Sequence, residues 1–192
     1  MKFSMKKVTV LLADGFEEIE ALTVVDLLRR AKVYVDTVSI TDDYTVRGAH
    51  GIPVQTEDLI TEIDFKESDM IVLPGGMPGT TNLKEDENVR KAVQEAYDDG
   101  RYVAAICAAP TILADMGLLK GKRATCYPDM ESEIEDAYLT GAPVATDENI
   151  ITSQGVGTAI DFALKLIEVL ISEEKAVEIA DSIVSVSYTH LT

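Results

Sequence analysis

The strongest constraint on this chain is the alternation of short apolar runs with segments of helical spacing. Residues 8–13, 33–40, 70–73, 102–106 and 149–152 are strand-length runs rich in apolar and β-branched residues. Residues 17–30, 85–99, 110–116, 158–171 and 173–184 read as helices. The first of these carries Ile19, Leu22, Val25, Leu27 and Leu28 at helical spacing. Residues 47–58 contain Gly48, Gly51 and Pro53 and read as a loop or small hairpin, and residues 123–126 as a short strand. This order predicts an α/β domain with a mostly parallel sheet covered by helices on both faces. Sites in such folds gather at the carboxyl ends of the strands.

The 192 residues suit one domain, placed over residues 1–184. Residues 185–192 fit no periodic pattern and read as a frayed or read-through tail. A formal net charge of −17 repels phosphate backbones and anionic lipid, which argues against nucleic-acid and membrane partners. Residues 1–7 are basic, but the apolar run after them is short and ends at Asp14, Glu17 and Glu18, unlike a signal peptide or membrane span. Two cysteines, Cys107 and Cys126, are too few for a disulfide framework, and the reading is a reducing cytoplasm. Two histidines and two cysteines without short ligand spacing predict no zinc site, and no cofactor is expected.

The segment Val103-Ala-Ala-Ile-Cys-Ala-Ala-Pro110 carries the strongest chemical signal. An apolar strand runs into a helix whose early proline tolerates the missing N–H. Cys107 sits at the turn between them, where small neighbours permit a tight bend. That is the geometry of a nucleophile elbow, without the glycines of G-x-S-x-G. A sulfur there faces free N–H groups and a helix N-terminus, which predicts a lowered thiol pKa. The same pattern equally fits a small buried cysteine.

Two other segments converge on the same sheet edge. Pro74-Gly75-Gly76 ends a strand with backbone that can approach closely, so the Gly76 N–H could face an oxyanion, or the run could be an ordinary turn. Glu17, Glu18 and Glu20 open the first helix, where acids usually sit on the surface. Glu20, however, stands between Ile19 and Ala21 among residues that should pack. A carboxyl turned inward there has a raised pKa and can share a proton with sulfur.

Four blocks together carry a resemblance. They are Ala13-Asp-Gly-Phe-Glu-Glu-Ile-Glu20, Leu73-Pro-Gly-Gly-Met-Pro-Gly79, Ala104-Ala-Ile-Cys-Ala-Ala-Pro110 and Thr152-Ser-Gln-Gly-Val-Gly-Thr158. In this order they resemble the ThiJ/PfpI superfamily, in its DJ-one/YajL-like branch. The resemblance implies a flavodoxin-like three-layer α/β/α sandwich and a homodimer. It implies Cys107 as nucleophile, Glu20 as its hydrogen-bonded acid, and the Gly76 and Ala108 N–H groups as donors to an oxyanion or sulfinate. Arg30 and His50 match positions near the dimer interface beside the pocket; read without the resemblance, they are a helix-surface arginine and a loop histidine.

Two departures bear on function. Active relatives tend to carry histidine where this chain has Tyr127, and peptidase-like relatives carry histidine where it has Ala108. No Cys-His pair is evident, and tyrosine, with an ordinary pKa near ~10, is a poor base. Tyr127 is left to donate a hydrogen bond or to pack, and Cys126 reads as a structural thiol. The expected function is a weak, cofactor-independent glyoxalase or deglycase acting on small dicarbonyls or glycated groups. The alternative is a redox-responsive stress protein or chaperone sensing oxidants through Cys107, and a cysteine peptidase is disfavoured by Ala108.

Overall fold

The computed structural model describes residues 5–186. Residues 187–192 of the expected tail, including His190, lie outside the described residues, as do residues 1–4.

In chain order the strands are β1 (Lys7–Leu12), β2 (Tyr34–Ser39), β3 (Thr45–Arg47), β4 (Pro53–Gln55), β5 (Asp58–Leu59), β6 (Met70–Leu73), β7 (Tyr102–Ile106), β8 (Arg123–Ala124), β9 (Tyr138–Leu139), β10 (Val144–Asp147) and β11 (Ile150–Ser153). The helices are α1 (Glu18–Arg30), α2 (Gly79–Glu85), α3 (Glu87–Asp98), α4 (Pro110–Asp115), α5 (Ala159–Leu170) and α6 (Glu173–Ser182). Seven strands form one sheet in the order β10-β11-β7-β6-β1-β2-β5. Every neighbouring pair is parallel except β10 with β11. The β3–β4 pair is the small antiparallel hairpin expected between residues 47 and 58, and β8 pairs with β9 apart from the main sheet.

The period-two alternation of the strands separates two cores. Val8, Val10, Leu12, Met70, Val72, Ala104 and Ile106 face a core built with α1, α5 and α6. Leu11, Ile71, Leu73, Val103 and Ala105 face the other, built with α2, α3 and α4. The result is the three-layer α/β/α sandwich with flavodoxin-like character. Each fully buried leucine or isoleucine contributes roughly 1.5–3 kcal/mol, so both layers are anchored many times over.

Two expectations change in detail. The helix expected over residues 85–99 is α3, which starts after Asp86, whose side chain accepts from the Asn88 and Val89 N–H groups and caps it, and a further helix not expected from the sequence, α2, precedes it. The stripe of α1 that faces the sheet is also rotated from the expected one. Ala21, Val24 and Leu28 are buried at i, i+3 and i+7, whereas Ile19 is 53% and Leu22 37% exposed. That rotation points Glu20, rather than Ile19, at the sheet.

Adjacent parallel strands place the carboxyl ends of β1, β6, β7 and β11 side by side. The segments leaving those ends hold Phe16 to Glu20, Gly75 and Gly76, Cys107, and Gly155.

Candidate active site

Strand β7 ends at Ile106 and the chain turns at Cys107, whose φ is +64°. A left-handed conformation costs a non-glycine residue roughly 1–2 kcal/mol, so the surroundings must hold it there. Two backbone hydrogen bonds do so. The Cys107 N–H donates to the Ser153 carbonyl (3.0 Å), and the Tyr127 N–H donates to the Cys107 carbonyl (2.8 Å). The elbow expected from the sequence is therefore formed and strained.

Gly75 lets a second segment approach it. A Cβ at position 75 would lie 2.6 Å from Cys107 Cβ and 2.7 Å from Glu20 Oε2, closer than atoms can pack. Gly76 has φ +91°, and a Cβ there would lie 2.3 Å from the Glu17 nitrogen. The two glycines thus bring the end of β6 against both the cysteine and the start of α1. The N–H groups of Gly76 and Ala108 act on the sulfur in the direction that favours its thiolate.

Glu20 has no solvent exposure. Its Oε2 accepts the Gly75 N–H at 2.9 Å. Oε1 has no hydrogen-bond partner among the described residues, and the Cys107 thiol is the side chain that acts on this carboxyl. Burial, opposed by the thiol and by the Gly75 N–H, pushes the Glu20 carboxyl up to about 7. The inward carboxyl read from the sequence is present.

The thiol differs from expectation. Burial, joined by the negative charge of Glu20, pushes Cys107 up to about 12, against the lowering by the Ala108 and Gly76 N–H groups. The helix dipole invoked for a lowered value is weak, because α4 has only six residues. The charge of Glu20 disappears when that carboxyl is protonated, so the two groups titrate as a pair. Protonated Glu20 leaves the N–H groups of Gly76 and Ala108 free to favour a thiolate.

His50 pairs with the acids that open α1. Its Nδ1 lies 2.9 Å from Glu18 Oε2 and 3.6 Å from Glu17 Oε2. Its N–H also donates to Glu18 Oε1 at 2.8 Å. Hydrogen bonding to Glu18 and the charges of Glu17 and Glu18 raise the His50 pKa. Burial pushes the Glu18 carboxyl up, but donors from His50 and Ile52 outweigh it and hold the carboxyl below its usual range. This clamp joins the 47–52 loop to the head of α1, and only glycine fits at position 48 beside the Glu18 carboxylate. Sequence reading missed it because Glu18 looked like an ordinary first-turn acid. The ligand atoms of Glu17, Glu18 and His50 lie within 4.8 Å of one another, a grouping that residue spacing could not reveal. Glu18 is satisfied there by its own donors.

Arg30 lies ten residues beyond Glu20 on α1, about 15 Å along the axis, and pairs with Asp26 (2.7 Å). Within one chain it is not joined to the site. Tyr127 is 44% exposed, and its backbone bond to Cys107 keeps it at the elbow. Cys126 is fully buried, its thiol donating to the Tyr127 carbonyl (3.3 Å), and burial pushes it up to about 11. Among the described residues no helix is long and apolar enough to cross a membrane.

The molecule is thus an α/β protein with a strained cysteine elbow at the carboxyl end of a mostly parallel sheet and a buried carboxyl beside it. The chain belongs to the DJ-1/PfpI family, whose model matches residues 6–169. It is 40% identical over 186 residues to Protein DJ-1 homolog B of Arabidopsis thaliana, covering 96% of this chain and 42% of that protein. The chain thus spans less than half of that relative's length. It is 34% identical over 182 residues to the Glutathione-independent glyoxalase DJ-1 of Schizosaccharomyces pombe, covering 89% of this chain and 94% of that protein. The solved structure of oxidized Toxoplasma gondii DJ-1 superposes with a TM-score of 0.90 at 36% identity, covering 94% of this chain and 98% of that one.

Proposed function

We propose that this chain is a cofactor-independent glyoxalase or deglycase-type enzyme acting on small dicarbonyls through Cys107 and Glu20. The observation that carries the reading is the pairing of a strained cysteine with a fully buried, readily protonated carboxyl. Cys107 sulfur adds to the aldehyde carbon, its proton passes to the carbonyl oxygen, and a hemithioacetal forms. Glu20 then removes the proton from the sulfur-bearing carbon and returns one to the neighbouring carbon. The electron pair moves through an enediol and leaves a thioester. Water hydrolyses it to a hydroxy acid and restores the thiol, so the dicarbonyl and one water balance the product with no outside oxidant. The Gly76 and Ala108 N–H groups are placed to stabilise negative charge at the sulfur. The likeness to the Glutathione-independent glyoxalase DJ-1 of Schizosaccharomyces pombe supports this reading.

The proton path gives its test. Conversion of methylglyoxal without added thiol, run in D₂O, yields lactate carrying deuterium at the second carbon if an exchangeable carboxyl relays the proton. Unlabelled lactate together with undiminished turnover by Glu20→Gln removes Glu20 from the path.

A second reading rests on one specific feature. A neutral Glu20 and two N–H groups around the sulfur also suit an oxidised Cys107, as in a redox-responsive stress protein. The homodimer is proposed with both readings: α1 and α5 pack together and leave Ile19, Leu22 and Ile160 exposed. Light scattering at twice 20.9 kDa supports it, and a strict monomer withdraws Arg30 from the pocket.

A further inference from the structure

Gly155 is a glycine for which the backbone supplies no reason. Its φ is 165°, extended backbone that any residue adopts. The residue is only partly buried and firmly held. Its N–H donates to Thr158 Oγ1 (3.1 Å), its carbonyl accepts from the Thr158 N–H (2.9 Å), and Thr158 Oγ1 shares a hydrogen bond with Ser153 Oγ (2.7 Å). A Cβ added at 155 would meet nothing closer than 3.7 Å. Packing therefore does not exclude a side chain either. What that Cβ would meet is informative: Tyr127 Cδ2 at 3.7 Å, Glu20 Oε1 at 3.9 Å and Cys107 Sγ at 4.0 Å. The absent methyl group leaves a space bounded by the sulfur, the buried carboxyl and the tyrosine ring together.

We propose that Gly155 is a specificity-determining residue, whose missing side chain is the space taken by the group next to the attacked carbonyl carbon. The inference rests on the glyoxalase reading and narrows its substrate class. The proton relay requires the second carbon of the substrate to lie near the carboxyl oxygen that faces the sulfur. The Gly155 space borders both groups, and a single methyl group placed there would already be in van der Waals contact with each. The substrate is therefore a terminal aldehyde whose neighbour is itself a small carbonyl group, rather than a branched or bulky aldehyde. Tyr127 closes the outer side of the same space, which gives its ring a role that packing alone does not.

Gly155→Ala tests this directly, because the added Cβ stays at ordinary contact distance and the backbone is unstrained. Cys107 is probed with three reagents of increasing size: hydrogen peroxide, methylglyoxal and iodoacetamide. In pockets that sense a single methyl group the discrimination is about 10–200-fold. The expected result is a loss of that order in alkylation and turnover, with peroxide oxidation unchanged. Unchanged alkylation overturns the assignment, and so does an equal fall with all reagents, which means altered thiol chemistry rather than lost space. Thermal denaturation shows whether the variant is folded. If it is not, wild type supplies the answer: turnover falling steeply from methylglyoxal to a branched-chain glyoxal supports the assignment, and equal rates overturn it. A wild type that turns over nothing, yet shows the alkylation split in Gly155→Ala, keeps Gly155 as the gate to the sulfur and removes the glyoxalase reading.

Discussion

Gly75 touches Glu20 in two ways: its N–H donates to Oε2 at 2.9 Å, and its missing Cβ makes room for that same oxygen. The carboxyl is thereby fixed through one oxygen, while the other is left beside Cys107. Glu20 is held for chemistry at a cost to stability, and that cost is measurable.

The first prediction concerns stability against pH. The Glu20 pKa is raised in the fold, so the stability it contributes is fully present below its unfolded value of 4.5 and is lost as pH rises through about 7. The rise corresponds to about 3 kcal/mol. Glu20→Gln cannot titrate. Urea denaturation at pH 4 and pH 8 should show the variant gaining on wild type by that order at the higher pH. A constant difference between the two proteins would mean that Glu20 is not buried as a neutral acid.

A second prediction concerns thiol reactivity. Because Cys107 and Glu20 titrate as a pair, the rate of Cys107 alkylation should show an inflection near pH 7. Glu20→Gln should abolish it, and Cys126 should stay slow throughout because burial pushes it up to about 11. Mass spectrometry of both cysteines across pH reads this, and an inflection that survives in the variant assigns it to another group.

The His50–Glu18 clamp has its own pH window. Glu18 is lowered, so its contribution is present above its unfolded value of 4.5 and is lost as pH falls through the folded one. His50 is raised, so its contribution is present below 6.5 and is lost as pH climbs past its folded value. His50→Ala should therefore cost most stability between those limits and little at pH 9. A loss that does not change with pH would show that the ring only packs.

Tyr127 is the position where a base could be restored. A well-placed acid–base group is worth roughly 10²–10⁴-fold. Its ring borders the space beside the sulfur, so Tyr127→His should raise methylglyoxal turnover while leaving the fold intact. An unchanged rate places the residue 127 side chain out of reach of the substrate.

Much of this architecture is legible in the sequence because strand burial leaves a plain trace. The runs containing Val8, Met70 and Val103 alternate so strongly with helical segments that the parallel sheet follows. Cys107 is legible because a cysteine between a strand and an early proline has few other places to be. Glu20 is harder to read, since its burial depends on the rotation of α1, and Ile19 and Leu22 point to the wrong face. The Glu18 clamp and the Gly155 space are not legible, because each is made by residues distant in sequence. The thiol was misread because the sequence displays the turn and its donors but not the burial beside a second acid.

The central claim is that Cys107 attacks a small dicarbonyl, and the most direct measurement is methylglyoxal turnover by fully reduced wild type beside Cys107→Ser, with no added thiol. The prediction is slow, reproducible formation of lactate by wild type and none by the serine variant, with both proteins equally folded. Equal rates in the two, or no turnover in either, would contradict it.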